Sequence, residues 1–181
     1  MKKVLLAAAV LAAAAGAANA DVTFNLGNTN LAGGQFISGT AGLTGTLTGM
    51  TISFDFQPDA AAQTAGSWAS DAILYVEGPD TNSGEWGGFN LSFGGFDEGV
   101  FSFDGPGSAP PGIYADTQAV SNATPPSGAG TWFIAFANGW GSSPAVQYNN
   151  ISVTLHGVNV PTPGAMALLG LGGLVATRRR R

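Results

Sequence analysis

The side chains able to do chemistry in this chain are few. His156 is the single histidine and there is no cysteine, so a zinc or copper site lacks its usual ligands. Serines are plentiful, yet no Gly-x-Ser-x-Gly occurs and no His-paired nucleophile can be picked out. Carboxylates remain. Asp80, Asn82 and Glu85 share one short Gly-containing loop, and Asp97, Glu98 and Asp104 form a second group. A glycosidase needs two carboxylates about 5–10 Å apart across a cleft, one with a raised pKa. The plainer account is that loop carboxylates keep an acidic protein soluble. Calcium is a better use for them than catalysis, because a hard cation takes carboxylate, carbonyl and Asn oxygens together. Neither group follows the twelve-residue EF-hand pattern. The tryptophans offer a third chemistry. Trp86 and Trp140 lie among Gly, Ser and Asn and are candidates for stacking on sugar rings, whereas Trp68 and Trp132 are expected in the core.

Strands must position these groups. Val22, Phe24 and Leu26 alternate with polar residues, as do Met50, Ile52, Phe54 and Phe56; Phe89, Leu91 and Phe93; and Ile151, Val153 and Leu155. This period of two predicts strands with one face in a core and one in water. Residues 72–76 and 132–137 are apolar on both faces and read as central strands, or as the lining of a concave surface. Residues 31–48 alternate Gly and Thr with Leu and read as an edge strand or a loosely ordered arm. Turn chemistry rich in Gly, Pro, Asn and Ser fills residues 77–84, 104–112 and 124–130. Short strands with such turns predict an all-β fold, a single β-sandwich or jelly roll. Alternation sets His156 on the polar side of the last strand, where a solvated strand-end residue is the expectation.

Charge divides the chain into three. All six basic residues lie at the ends: Lys2, Lys3, Arg178, Arg179, Arg180 and Arg181. The eleven acidic residues run from Asp21 to Asp116, so residues 21–160 carry no Lys or Arg. Such a surface repels nucleic acid, and it repels acidic polysaccharide unless divalent cations mediate. Salt bridges in the body are confined to a new α-amino group or to a protonated His156. Without disulfides, the body holds together by its core alone.

The N-terminus has a Lys2-Lys3 start, an apolar run over residues 4–17 and the small-x-small site Ala18-Asn19-Ala20, so cleavage before Asp21 is expected. The protein is therefore expected to leave the cytoplasm. The C-terminus has a breaker, Pro161-Thr162-Pro163-Gly164, then an uncharged run rich in Leu, Ala and Gly, then four arginines. The prolines hold the chain extended and uncouple the body from the apolar run. The arginines favour the cytoplasmic side. This gives a signal peptide over residues 1–20, an acidic sandwich over 21–157 and a sorting or anchor segment over 158–181, the apolar run being a short helix.

The tail resembles the PEP-CTERM protein-sorting signal of bacteria, in which a Pro-Glu-Pro motif precedes an apolar segment and a terminal Arg cluster. Pro161, Pro163, Leu168, Leu169, Gly170, Leu171 and the four arginines carry the resemblance, and Thr162 stands where the family usually has Glu. The resemblance implies an exosortase-type processing enzyme as partner, transit through the inner membrane, and association with exopolysaccharide and biofilm. A plain C-terminal anchor is the alternative; the run is short for a spanning helix of about 20 residues. The body is similar in layout to secreted bacterial jelly-roll modules such as the P domain found beside subtilisin-like proteases, through Gly130-Thr131-Trp132 and the closing strand at residues 150–155. The function expected is that of a non-enzymatic surface or matrix protein, structural or binding. A tethered carbohydrate-active enzyme or sugar-binding module is the alternative.

Overall fold

A computed structural model of the chain describes residues 5–6, 10–12, 21–80, 83–87, 97–100, 110–120, 124–141 and 144–161. Among them, ten strands form two layers around one core. The strands are β1 (Leu5–Leu6), β2 (Val10–Ala12), β3 (Val22–Leu31), β4 (Phe36–Gln57), β5 (Ala72–Glu77), β6 (Ser83–Gly87), β7 (Asp97–Val100), β8 (Gly112–Ala119), β9 (Gly130–Asn138) and β10 (Val146–Asn159). Among the described residues, helix is confined to α1 (Ala60–Thr64) and the 3-10 turn Ala69–Asp71. The chain is an all-β sandwich.

One sheet runs β1, β4, β9, β5, β6, β7; the other runs β2, β3, β10, β4, β8. The long β4 belongs to both. Residues 36–43 pair with β9, and residues 44–57 pair with β10 and β8. β3 and the second half of β4 are both antiparallel to β10, so they run the same way. The first half must therefore carry the chain back along the sandwich before it turns at Gly45, whose φ is +123°. The Gly- and Thr-rich stretch at residues 31–48 is thus no loose arm; among the described residues its segment 36–43 has β9 on one side and only the two residues of β1 on the other, so it runs along a sheet edge. It joins the two sheets, because glycine alone takes the turn without strain.

The core lies between the sheets. From one side come Trp132, Ile134 and Phe136 on β9 with Ala72, Leu74 and Val76 on β5; from the other come Phe24, Met50, Ile52, Phe54, Phe56, Val153 and Leu155. Phe136 makes edge contacts across the gap with Phe54, at 5.4 Å between ring centroids, and with Tyr148, at 5.0 Å. Such pairs add about 0.5–1.5 kcal/mol each beyond burial. The two doubly apolar runs are indeed interior strands: β9 lies between β4 and β5, and β5 between β9 and β6. On their outer side, Tyr75 and Phe133 are half-buried against each other.

β10 departs from simple alternation twice. A bulge at Asn150, with φ +52°, lets Tyr148 and Ile151 both face inward. A second irregularity at Gly157, with φ +83°, does the same for Leu155 and Val158. Each extra residue shifts the period so that the strand follows the twist. β8 closes its sheet with the opposite polarity from the expected pattern. Asp116 and Gln118 are half-buried and joined by a 2.8 Å hydrogen bond, while Ile113 is 80% exposed. A charge turned inward on an edge strand discourages pairing with another chain.

β1 and β2 fall in the segment expected to be a signal peptide. Both sit at sheet edges, β1 parallel to β4 and β2 antiparallel to β3, so the ladders of β3 to β10 close without them. The expected strand at Phe89, Leu91 and Phe93, the cleavage residues Ala18 and Ala20, and Thr162, Pro163, Gly164 and the four terminal arginines lie outside the described residues. Among the described residues no helix is long and apolar enough to cross a membrane.

Candidate functional site

The acidic groups come first. Asp80 is exposed at a chain reversal, where its Oδ1 accepts a 3.1 Å hydrogen bond from the Ser127 N–H and its own N–H donates to the Ser127 carbonyl. This pairing pins the turn after β5 to the turn before β9. Glu85 lies on β6, opposite Tyr75 on one side and Asp97 on the other. The ladder therefore brings together one acid from each of the two sequence groups. Glu98 follows Asp97 on β7, while Asn82 and Asp104 lie outside the described residues. No cluster of three or more His, Cys, Asp or Glu able to hold a metal occurs among the described residues. Trp86 stands opposite Leu74 in the β5–β6 register.

A second group was visible in sequence only as His156, the one side chain in the body able to pair with an acid. The Asp21 carboxylate lies 2.9 Å from His156 Nδ1, His156 Nε2 lies 2.9 Å from Thr51 Oγ1, and Thr51 Oγ1 lies 2.8 Å from Thr117 Oγ1. Asp–His–hydroxyl is the connectivity of a nucleophilic relay. Its setting is wrong for that chemistry. Thr51 stands in a strand paired on both sides, opposite Thr154 on β10 and Thr117 on β8. The backbone N–H groups around it serve those ladders, so none is left to stabilise an oxyanion. The face is an outer sheet surface, with Asp21 half exposed. The network is fully paired instead. A neutral imidazole accepts from the Thr51 hydroxyl, and a charged one donates to it while Thr51 turns its proton to Thr117. Asp21 directly precedes β3, and His156 lies near the end of β10, so this group ties the two ends of the body together.

The opposite end of the sandwich is built differently. Three segments meet there. Gly34 N–H donates to the Asn138 carbonyl, Asn138 Nδ2 donates to the Leu31 carbonyl, and Gly139 N–H donates to the Asp71 carbonyl, at 2.8–3.1 Å. Gly33 packs so closely that a Cβ would run into the Trp140 carbonyl. The Asn138 side chain also receives the Trp140 N–H at 3.2 Å, which fixes the start of the Gly-rich turn. From that turn Trp140 reaches Trp68, with ring centroids 6.0 Å apart and planes tilted by 42°. Both rings are half-buried, so Trp68 differs from the fully buried Trp132, which alone of the two fills the core. Gly66 gives Trp68 a flat seat: a Cβ there would touch its six-membered ring.

Asp71, in the 3-10 turn that follows Trp68, is only 3% exposed. Its Oδ2 accepts a 2.7 Å hydrogen bond from the Trp68 N–H. Burial lifts its pKa to about 6, against the pull of that hydrogen bond. Burial, and then the charge on Asp71, push the Tyr148 phenol well above its usual range. Ser70 Oγ, Trp140 Nε1 and Tyr148 Oη are buried and find no hydrogen-bond partner among the described residues. A buried polar atom without a partner costs about 1–3 kcal/mol. Of this site, Trp140 stood out in sequence. Trp68, Ser70, Asp71 and Tyr148 did not, although an Asp immediately before the apolar run at residues 72–76 is a signal for a buried acid.

No family model matches this chain, and no curated protein matches it. Among solved structures, it is similar to PliG of Aeromonas hydrophila, a periplasmic inhibitor of g-type lysozyme, at 13% identity and a TM-score of 0.32. That overlay covers 86% of this chain and 99% of the other. It is also similar to an arabinose-bound MgGH51 α-L-arabinofuranosidase, at 12% identity and a TM-score of 0.27, over 81% of this chain and 22% of the enzyme. Overlays this loose assign nothing to the present chain.

Proposed function

We propose that this is an exported protein of the cell surface or extracellular matrix, a non-enzymatic structural or binding sandwich. It is delivered by the signal peptide ending at Ala20 and sorted by the PEP-CTERM-like tail, with an exosortase-type enzyme acting near Pro161 and Pro163. One observation supports this reading above the rest: both ends of the body leave from the same place. Asp21 bonds to His156, Val22 pairs with Leu155, and β10 stops at Asn159, just before Pro161. A domain that first hangs from an N-terminal signal and then from a C-terminal segment keeps one orientation if both attachments share an end. The Trp68–Trp140 end then faces away from the membrane.

The test is replacement of Arg178, Arg179, Arg180 and Arg181 by Ser, read by cell fractionation and intact mass. The expected result is release of the body into the medium or misrouting, with a changed mass at the C-terminus. Unchanged localisation and unchanged mass would sink the proposal. The sugar-binding alternative keeps its place on a separate observation, the half-buried tryptophan pair.

A further inference from the structure

We propose that the free side of β3 over residues 22–26 is a self-association edge, on which a second copy of the mature chain pairs antiparallel about a two-fold axis at Phe24. The inference goes beyond the reading above and rests on one part of it, removal of residues 1–20.

With β1 and β2 set aside, the described strands leave four sheet edges: β3 and β8 in one sheet, residues 36–43 of β4 and β7 in the other. An edge strand offers unpaired N–H and C=O groups to another chain, and charge is the usual protection. β8 carries Asp116, and β7 carries Asp97 and Glu98. β3 has no charged residue and no proline from Val22 to Leu31. Its free side accepts a strand in this structure. The backbone of β2 pairs antiparallel with residues 23–25, with Leu11 opposite Phe24. Cleavage before Asp21 takes β2 away and leaves that ladder open.

The sequence of the edge says what replaces it. Val22, Phe24 and Leu26 are buried, while Thr23 is half-buried and Asn25 exposed. The order apolar, polar, apolar, polar, apolar reads the same in both directions from Phe24. A two-fold axis there sets Phe24 opposite Phe24, Val22 opposite Leu26 and Thr23 opposite Asn25, so each core face meets a core face. The second copy's Thr23, Phe24 and Asn25 then take the places of Val10, Leu11 and Ala12. Gly27, with φ +78°, ends the regular stretch. The two Asp21 carboxylates end up about 20 Å apart along the ladder, beyond the screening length of physiological salt. Residues 36–43 fit this pairing less well. Their partner β1 runs parallel, which a two-fold axis forbids for identical strands, and Gly39 and Gly42 weaken the strand. The axis points the two tethers in opposite directions, so copies anchored side by side in one membrane cannot pair this way. The contact belongs to chains released into the matrix.

The experiment uses residues 21–161, which hold every strand from β3 to β10 and, among the described residues, the whole buried apolar core from Val22 to Val158. Sedimentation velocity over a concentration series is expected to show a reversible dimer in the micromolar range, since so short a pairing makes a weak interface. Asn25→Lys and Asn25→Glu should each weaken it tenfold or more, because position 25 of one copy lies diagonally about 7–8 Å from position 25 of the other. An equimolar mixture of the two variants should dimerise more tightly than either alone, which loss of folding would not allow. Ile113→Lys, on β8, should change nothing. A body that stays monomeric up to millimolar concentration would overturn the proposal. So would a dimer that both Asn25 variants leave intact, one that Ile113→Lys abolishes, or a mixture that stays as monomeric as its parts. Because the chain tested already begins at Asp21, none of these outcomes bears on export, and misrouting in cells says nothing against the edge.

Discussion

The two ends of this sandwich handle polar groups in opposite ways. At the tether end, Asp21, His156, Thr51 and Thr117 form an unbroken chain of hydrogen bonds on an outer sheet face. Beside it, the turns lock together through Gly128 N–H to the Gly45 carbonyl and Leu47 N–H to the Pro126 carbonyl, both at 2.9 Å. Toward the far end, Asp71 is a buried acid, and Ser70 Oγ, Trp140 Nε1 and Tyr148 Oη are buried without a partner among the described residues. A satisfied network specifies shape; an unsatisfied one is expensive and persists where something outside the chain completes it. The Asp–His–Thr connectivity, which looks like machinery, is therefore read as structure. The unfinished end, of which only Trp140 stood out in sequence, keeps buried polar atoms unpaired.

The largest effect expected from this contrast is at Gly157. Its φ of +83° is one that L side chains rarely adopt, and a Cβ there would lie 2.5 Å from the Thr46 carbonyl oxygen and 2.7 Å from Thr48 Oγ1. Gly157→Val should cost about 2–4 kcal/mol from strain and crowding together. Gly141, at the other end, has open space around a built Cβ, and Gly141→Ala should move stability by less than about 0.5 kcal/mol. Urea melts of the three proteins measure the difference. Equal losses would mean that the tether end is no more rigid than the far end.

The second expectation uses Asp71. Its folded pKa of about 6 lies above the ordinary value of 3.8, so the folded state holds its proton more tightly than the unfolded chain does. The stabilising form is the neutral acid. Its contribution is complete below the unfolded value and is lost as pH rises through the folded one. Between about pH 4 and pH 6 stability should fall, by on the order of 1–3 kcal/mol. In Asp71→Asn this part of the profile should flatten. Melts across that range check it, and a fall of the same size in the Asn variant would assign it to other carboxylates.

Sequence is legible where side-chain polarity and burial agree. The strands around Phe24, Ile52, Phe54, Leu74, Phe136 and Val153 could be read because apolar residues recur every second position. β8 could not, because its inward positions include Asp116 and Gln118. β10 was legible only between its two bulges, since each bulge resets the alternation. The junction strand β4 was hidden in its first half by Gly and Thr, which carry little hydrophobic signal. The charge count did anticipate one contact: with no Lys or Arg in the body, His156 was the only side chain left to pair with an acid, and it does pair with Asp21. Which acid it would meet depends on β3 lying beside β10, a long-range pairing that no local pattern encodes.

That same contact gives the smallest expected effect. His156 and Asp21 are 28% and 51% exposed, so solvent screens their interaction, and a double-mutant cycle with His156→Gln and Asp21→Asn should return a coupling of about 0.2–1 kcal/mol. The coupling should shrink as salt rises, because each partner is within reach of mobile ions. A coupling well above this range and insensitive to salt would show that the tether end depends on a shielded ion pair. The distinction between a finished and an unfinished end would then rest on the glycines and the backbone alone.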